Sequence, residues 1–152
     1  MSEAAPAFFH CAPHPDHPGW QLYQLSGPER YNRAVLGDLL VRAEDDSHAR
    51  VRLAPQPWHA NSTGRYHGGI TLGLIDVALF AAMYVLRAVP VSGSVTVDMQ
   101  TQFIGAGDAA RALDCVVELL RETRRMGFLR GLVVQADDLV ASFTATVRKP
   151  QS

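Results

Sequence analysis

The fold is decided by one apolar stretch, HGGITLGLIDVALFAAMYVL, which spans residues 67–86. Its alanine, leucine and methionine content favours a helix over a strand, and we predict that helix at about 70–86. The stretch is apolar on nearly every face, with Asp76 midway along it. With a carboxylate inside about 17 residues, it is a poor membrane span. A helix of this kind has to be surrounded by protein.

The segments around the helix have the pattern of strands. Residues 95–103 alternate apolar and polar side chains, which is typical of a half-buried strand. A proline that suits a first helical turn predicts a short helix near 28–33. Further strands are predicted at about 36–43, 49–54, 113–120, 128–135 and 139–147. The economical arrangement is an α+β fold, with one antiparallel sheet wrapped around one long central helix.

The first 27 residues are predicted to form an irregular N-terminal arm, followed by a single domain over 28–150. Four prolines oppose regular structure in the arm: Pro6, Pro13, Pro15 and Pro18. The spacing of its histidines and cysteine matches no usual zinc pattern, so we expect no metal.

The composition excludes several classes of protein. The chain is 47% hydrophobic and 19% charged, as expected of a globular domain and not of a disordered one. A net charge of −1 with scattered basic residues argues against nucleic acid as the partner. Cys11 and Cys115 offer no disulfide framework, and no targeting segment is visible. We therefore expect a cytoplasmic protein without nucleic-acid or membrane partners.

Asp76 is the residue that does not fit its surroundings. Aspartate is a weak helix former, and an unpartnered buried carboxylate costs several kcal/mol. One interpretation is a carboxylate at a small packing gap, bonded to nearby hydroxyl or amide groups. The other is a catalytic group, since perturbed carboxylates cluster at functional sites. The helix start, His67-Gly68-Gly69, favours the catalytic interpretation. Its two glycines have no side chain, so a ligand can approach the backbone closely. The N–H groups there can donate to a carbonyl that becomes an oxyanion.

Spacing adds a constraint on the assembly. Along one helix, Gly68 and Asp76 are separated by about 12 Å at 1.5 Å per residue, so one carbonyl group cannot touch both. Two antiparallel copies of the helix about a two-fold axis could bring Asp76 of one chain beside Gly68 of the other. We therefore expect a homodimer with two shared sites, with a dimer of dimers as a further option.

These residues carry a resemblance to a known family. The run HANSTGRYHGG at 59–69, followed by Leu74-Ile75-Asp76, resembles the H-x-N-x-x-G-x-x-H-G-G…D signature of hotdog-fold acyl-CoA thioesterases of the phenylacetate-pathway (PaaI-like) group. Residues 95–100 resemble the strand after the hotdog helix, and residues 120–128 are similar to a hairpin of the same proteins. The resemblance covers about 30–149.

The resemblance implies a role for each matching residue. The Gly68 N–H would polarise the thioester carbonyl, and Asp76 of the partner subunit would be general base or nucleophile. Asn61 would place the thioester or the water, and Thr96 would hold the water, with Ser94 as second choice. Asn61 as a loop-capping amide and Thr96 as a satisfied strand hydroxyl stay open as alternatives. Val77 departs from the pattern, because some relatives carry a hydroxyl residue there.

Further residues are expected to bind the substrate. His59, His67 and Gly69 would position the ligand or the loop, and Arg124 and Arg125 would meet the phosphates of coenzyme A, although an arginine-bearing hairpin is also typical of a solvated turn. The implied reaction is hydrolysis of an acyl- or aryl-CoA thioester without metal or redox cofactor. A non-catalytic acyl-CoA-binding module and, with a poorer motif match, a hotdog hydratase or dehydratase remain as alternatives.

Overall fold

The computed structural model describes residues 9–25 and 27–151. Within them, eight antiparallel strands form one sheet in the order β1-β2-β3-β4-β6-β7-β8-β5. Strands β1 and β5 are therefore the two edges. The strands are β1 (Phe9–Pro13), β2 (Gln21–Leu25), β3 (Leu39–Ala43), β4 (His48–Leu53), β5 (Val95–Phe103), β6 (Leu113–Glu122), β7 (Met126–Gln135) and β8 (Asp138–Arg148).

One long helix, α1 (Gly68–Arg87), packs on the inner face of this sheet, mainly against β3, β4 and β6. Its fully buried side chains include Leu74, Ile75 and Leu79. The helix ends at Ala88, which adopts the left-handed conformation with φ 54°. The predicted architecture, an antiparallel sheet around one long central helix, is confirmed.

The boundaries of the core elements lie close to the predicted ones. Strand β5 has the predicted range, and the other predicted strands are shifted by a few residues at most. The short helix predicted near 28–33 is a π-helical turn at Asn32–Leu36. A 3₁₀ turn at Pro57–His59 precedes the helix.

The prediction of an irregular arm over 1–27 was wrong for its described part. Strands β1 and β2 pair antiparallel and extend the sheet beyond β3. Pro13 is tolerated because it is the last residue of an edge strand, while Pro15 and Pro18 lie in the connection to β2. Phe9 packs edge-on against Tyr23 and against Tyr84 of α1, which anchors the added strands. Residues 1–8, with Pro6, lie outside the described residues.

By length and composition alone, α1 could cross a membrane. In the structure, 56% of its most apolar stretch is buried inside the chain itself. The core helix of a soluble protein passes the same test of length and composition, and α1 packs against β3, β4 and β6 as a core helix does.

One stripe of α1 is left uncovered by the sheet. Its members are exposed or half-buried and recur every three or four residues, which places them along one line of the helix: Gly69, Leu72, Gly73, Asp76 and Phe80. The carboxylate therefore lies on the open side of the helix and not in the packed core.

Candidate active site

Asp76 is held by one neutral donor. The Thr96 hydroxyl donates a 2.7 Å hydrogen bond to its Oδ1, reaching across from β5 to the middle of α1. Within residues 9–25 and 27–151, no other side chain hydrogen-bonds to this carboxylate and no cation pairs with it. Its second oxygen, Oδ2, is therefore available to a ligand or to water.

The hydroxyl beside Asp76 is that of Thr96 and not that of Ser94. Ser94 instead donates a 2.7 Å hydrogen bond to the Pro90 carbonyl and ties the loop between α1 and β5 to itself. Of the two candidate hydroxyls, Thr96 is therefore the one that the structure places beside the Asp76 carboxylate.

The start of α1 leaves one backbone donor unpaired. The His67 side chain caps the helix, its Nδ1 accepting a 2.9 Å hydrogen bond from the Gly69 N–H. The N–H groups of Ile70 and Thr71 donate to the His67 carbonyl. Among the described residues nothing accepts from the Gly68 N–H. A helix start concentrates positive potential at such a donor.

The space around Gly68 does not require a glycine. A Cβ built there would be 3.5 Å from the nearest atoms, which is ordinary van der Waals contact, and its φ is not positive. A Cβ at Gly69, in contrast, would lie only 3.1 Å from the Nδ1 of His67, which is a tight contact. The fold alone thus explains Gly69 better than Gly68, and close approach of a ligand to the backbone is the remaining reason for Gly68.

Asn61 is engaged in its own loop. Its Oδ1 accepts hydrogen bonds from the Thr63 N–H at 2.9 Å, the Thr63 hydroxyl at 2.8 Å and the Arg65 N–H at 3.0 Å. The amide NH₂ group is left, and that group can only donate. Asn61 is therefore placed to shape the loop, and any contact with a ligand would be donation to an acceptor such as a carbonyl oxygen.

His59 is fully buried, at 0% exposure. Its Nδ1 accepts from the Gln56 N–H at 3.2 Å, and its Nε2 donates to the Val35 carbonyl at 2.7 Å. Its own carbonyl accepts from the His67 N–H. The structure thus places His59 inside the fold as a tie between the loop and the helix start, and not against a ligand.

Arg124 and Arg125 come together with two further cations. Both line a cavity of about 750 Å³ with Arg148, Lys149 and the apolar residues Val89 and Pro90. Lys149 is paired with Glu122; the three guanidinium groups have no carboxylate partner among the described residues. Sequence reasoning missed Arg148 and Lys149, although Arg148 is the last residue of β8, which pairs with β7 beside the hairpin that carries the other two, and Lys149 follows it.

A larger cavity, of about 940 Å³, lies elsewhere. Its lining comes mainly from the outer face of the sheet, opposite α1, and includes Gln100, Val116, Leu132 and Thr144. It contains none of the residues around Asp76 or Gly68. No group of three or more His, Cys, Asp or Glu residues suited to a metal ion occurs within the described part of the chain.

The antiparallel sheet around one long helix, with a carboxylate on that helix and a glycine-bearing helix start, defines a hotdog-fold thioesterase. A family model described as the acyl-CoA thioesterase N-terminal domain matches residues 54–148. The chain belongs to this family, and it is a thioesterase.

Comparisons with individual proteins agree with this assignment. A Pseudomonas aeruginosa protein classed by name, provisionally, as an esterase is 28% identical over 76% of this chain and 86% of its own length. A variant of the phenylacetic acid degradation protein PaaI from Thermus thermophilus is 25% identical, with a TM-score of 0.64 over 78% of this chain and 98% of its own. The Escherichia coli PaaI protein shares the fold at 19% identity, with a TM-score of 0.67 over 82% and 87%.

Proposed function

We propose that this protein hydrolyses acyl- or aryl-CoA thioesters with Asp76 as the reacting carboxylate and the Gly68 N–H as the donor to the thioester carbonyl. The observation that carries the proposal is the Asp76 carboxylate itself. It lies on the stripe of α1 that the sheet leaves uncovered, and among the described residues only Thr96 binds it, through Oδ1, which leaves Oδ2 to a ligand.

The proposal includes a homodimer. Gly68 and Asp76 are about 12 Å apart along one helix, so each reacting group needs its counterpart from a second chain. The stripe of α1 that the sheet leaves uncovered gives the second helix a surface to approach, except at Gly73, against which the Tyr31 side chain packs. Strand β5 is an edge strand, and its Val95 and Val97 are exposed. An antiparallel partner there would bury apolar surface and satisfy the strand edge.

The proposed chemistry uses Oδ2 of Asp76 and the N–H of Gly68. In one route, Oδ2 of Asp76 takes a proton from a water molecule whose oxygen attacks the thioester carbon. The negative charge on the carbonyl oxygen is stabilised by the Gly68 N–H. Collapse of this intermediate breaks the C–S bond, and the leaving thiolate takes up the proton. In the second route, Oδ2 attacks the carbon first, the C–S bond breaks and the thiolate leaves, which gives a mixed anhydride. Water then hydrolyses the anhydride, which releases the acid and restores the Asp76 carboxylate, and a proton of that water ends on the thiolate.

The arginine-lined cavity supports a coenzyme A substrate. Guanidinium groups suit phosphate oxygens, and Arg124, Arg125 and Arg148 supply three without a carboxylate partner in the described structure. Changing Arg124 and Arg125 together to glutamate should raise KM for acyl-CoA about tenfold or more and leave kcat little changed, because binding is lost equally in ground and transition state. An unchanged KM would end the proposed phosphate contact.

The direct test is release of free thiol from a panel of acyl- and aryl-CoA thioesters, with wild type beside Asp76→Asn. Loss of the carboxylate should lower kcat on the best substrate by a hundredfold or more, about 2.7 kcal/mol of transition-state stabilisation. Asn keeps the shape and can still interact with Thr96, so thermal melting should be unchanged. An Asp76→Asn enzyme with wild-type turnover would overturn the role of Asp76, and wild type that binds the panel but hydrolyses none of it would point to a ligand-binding role.

A further inference from the structure

We infer that Phe103 is a positioning residue that holds the thioester carbonyl against the Gly68 N–H. The inference rests on the proposed function and adds a residue from outside the loop–helix motif. Phe103 is the last residue of β5, the same strand whose other end carries Thr96. In the proposed dimer, one β5 strand would thus contribute Phe103 to one site and Thr96 to the other.

The Phe103 ring reaches the start of α1. Its Cε1 and Cζ are both 3.5 Å from the position that a Cβ on Gly68 would occupy. The ring therefore lies directly beside the residue that bears the unpaired N–H. Despite this contact, Phe103 is 55% exposed, so one side of the ring meets the helix start and the rest stays open to a ligand.

Two physical effects of the ring would act on a carbonyl bound there. An aromatic side chain excludes water from one side of the N–H···O hydrogen bond, and a hydrogen bond is stronger where the local dielectric is low. The rim of an aromatic ring also carries partial positive charge, which suits the negative charge that develops on the carbonyl oxygen. Both effects are larger in the transition state than in the bound substrate.

A role in the assembly alone would give a different result. Val95 and Val97 are also exposed on β5, and Phe103 could share with them a contact to a second chain. Such a contact would affect the monomer–dimer equilibrium and not the rate per assembled site. A test must therefore measure kcat, KM and the association state of the same variant.

The experiment compares Phe103→Ala and Phe103→Tyr with wild type on the best substrate of the panel. Alanine should lower kcat about tenfold and change KM by less than about twofold, since the lost interaction belongs to the transition state. Tyrosine keeps the ring and should restore most of kcat. Phe128→Ala is the matched control, because Phe128 is an exposed aromatic residue of β7, 39% exposed, that points away from α1.

Sedimentation and thermal melting of each variant complete the test. The inference predicts that Phe103→Ala stays assembled and folded while its kcat falls. It is overturned if kcat is unchanged, if only KM rises, or if activity falls in proportion to dissociation. Wild type without thioesterase activity on any substrate would instead overturn the proposed function, so the two failures are distinguishable.

Discussion

The carboxylates of Asp114 and Asp76 have opposite surroundings. Asp114 of β6 lies on the outer face of the sheet at 6% exposure and is held by two arginines of β4. Arg52 binds both of its oxygens, at 2.7 and 2.8 Å, and Arg50 adds a contact of 3.1 Å. Asp76, on the open stripe of α1, has one neutral donor, Thr96.

The difference separates a structural carboxylate from one available for chemistry. Burial raises the pKa of Asp114, but the hydrogen bonds and charges of Arg52 and Arg50 outweigh it and lower the pKa below its ordinary value. With both oxygens occupied, Asp114 cannot serve as a base. Among the described residues nothing binds Oδ2 of Asp76 or the Gly68 N–H, which lies about 12 Å away along the same helix. Changes at the two carboxylates and their partners should therefore separate activity from stability.

The largest of these effects is expected from Gly68→Pro. Gly68 is the first residue of α1, where proline is well tolerated because its missing N–H has no partner within the helix. The preceding His67 already has φ −61° and ψ 136°, a conformation that suits the residue before proline. Proline should therefore preserve the fold, remove the N–H and lower kcat about a hundredfold. Thiol release and thermal melting measure the two quantities.

Gly68→Ala is the matched control for this prediction. It adds a Cβ in available space and retains the N–H, so its loss of kcat should be at least about tenfold smaller than that of proline. Equal kcat values for the proline and alanine variants would show that the N–H is not used.

The next effect concerns stability alone. Asp114→Asn removes the charge that Arg50 and Arg52 bind, and should lower the free energy of unfolding by about 2 kcal/mol. Its kcat should equal that of wild type, because the residue faces away from α1. Urea unfolding at neutral pH measures the first quantity. An Asp114→Asn variant with wild-type stability but lower kcat would show that Asp114 acts in catalysis and not in stability.

The same pair gives a dependence on pH. A carboxylate whose pKa is lowered in the folded state stabilises the protein above its unfolded pKa, and this stability is lost as pH falls through the folded value. Wild type should thus exceed Asp114→Asn in unfolding free energy at pH 7. The difference should shrink as pH falls below the ordinary aspartate value of 3.8.

A smaller effect is expected from Thr96→Val, which removes the one hydrogen bond that orients Asp76. The change should lower kcat about tenfold, or about 1.4 kcal/mol, and leave the fold intact. Thr96→Ser keeps the hydroxyl and should recover most of the rate. If valine matches wild type in thiol release, Thr96 is only a satisfied strand hydroxyl.

Much of the fold could be predicted from the sequence because its signals are local. The length and composition of the apolar run predict α1. The alternation of apolar and polar residues over 95–103 predicts β5. Strand β1 differs from the prediction because the prolines of the arm oppose regular structure, yet Pro13 only ends the strand. Strand β2 (Gln21–Leu25) contains no proline, so that reason does not apply to it. An edge strand tolerates proline at its end, but the local sequence does not show whether a strand will lie at the edge of a sheet.

The sequence predicts those site residues whose type is unusual for the helix that carries them. It does not predict contacts between residues that are far apart in the sequence. Asp76 and Gly68 stand out because a carboxylate and a glycine pair are unusual on an apolar helix. His59 is expected to position either the ligand or the loop, and its burial and the bonds of both ring nitrogens to backbone agree with the loop. Its spacing in the motif cannot distinguish a residue that shapes the loop from one that faces the substrate.

If each active site combines Asp76 of one chain with Gly68 of another, two inactive variants should complement each other when their chains are mixed. Asp76→Asn and Gly68→Pro chains are prepared separately and then mixed one to one under conditions of subunit exchange. Half of the dimers are then mixed, and one of the two sites in each mixed dimer has both native residues, so about a quarter of wild-type activity should return. If the mixture is no more active than the two separate variants, the two residues act within one chain and the shared site is wrong.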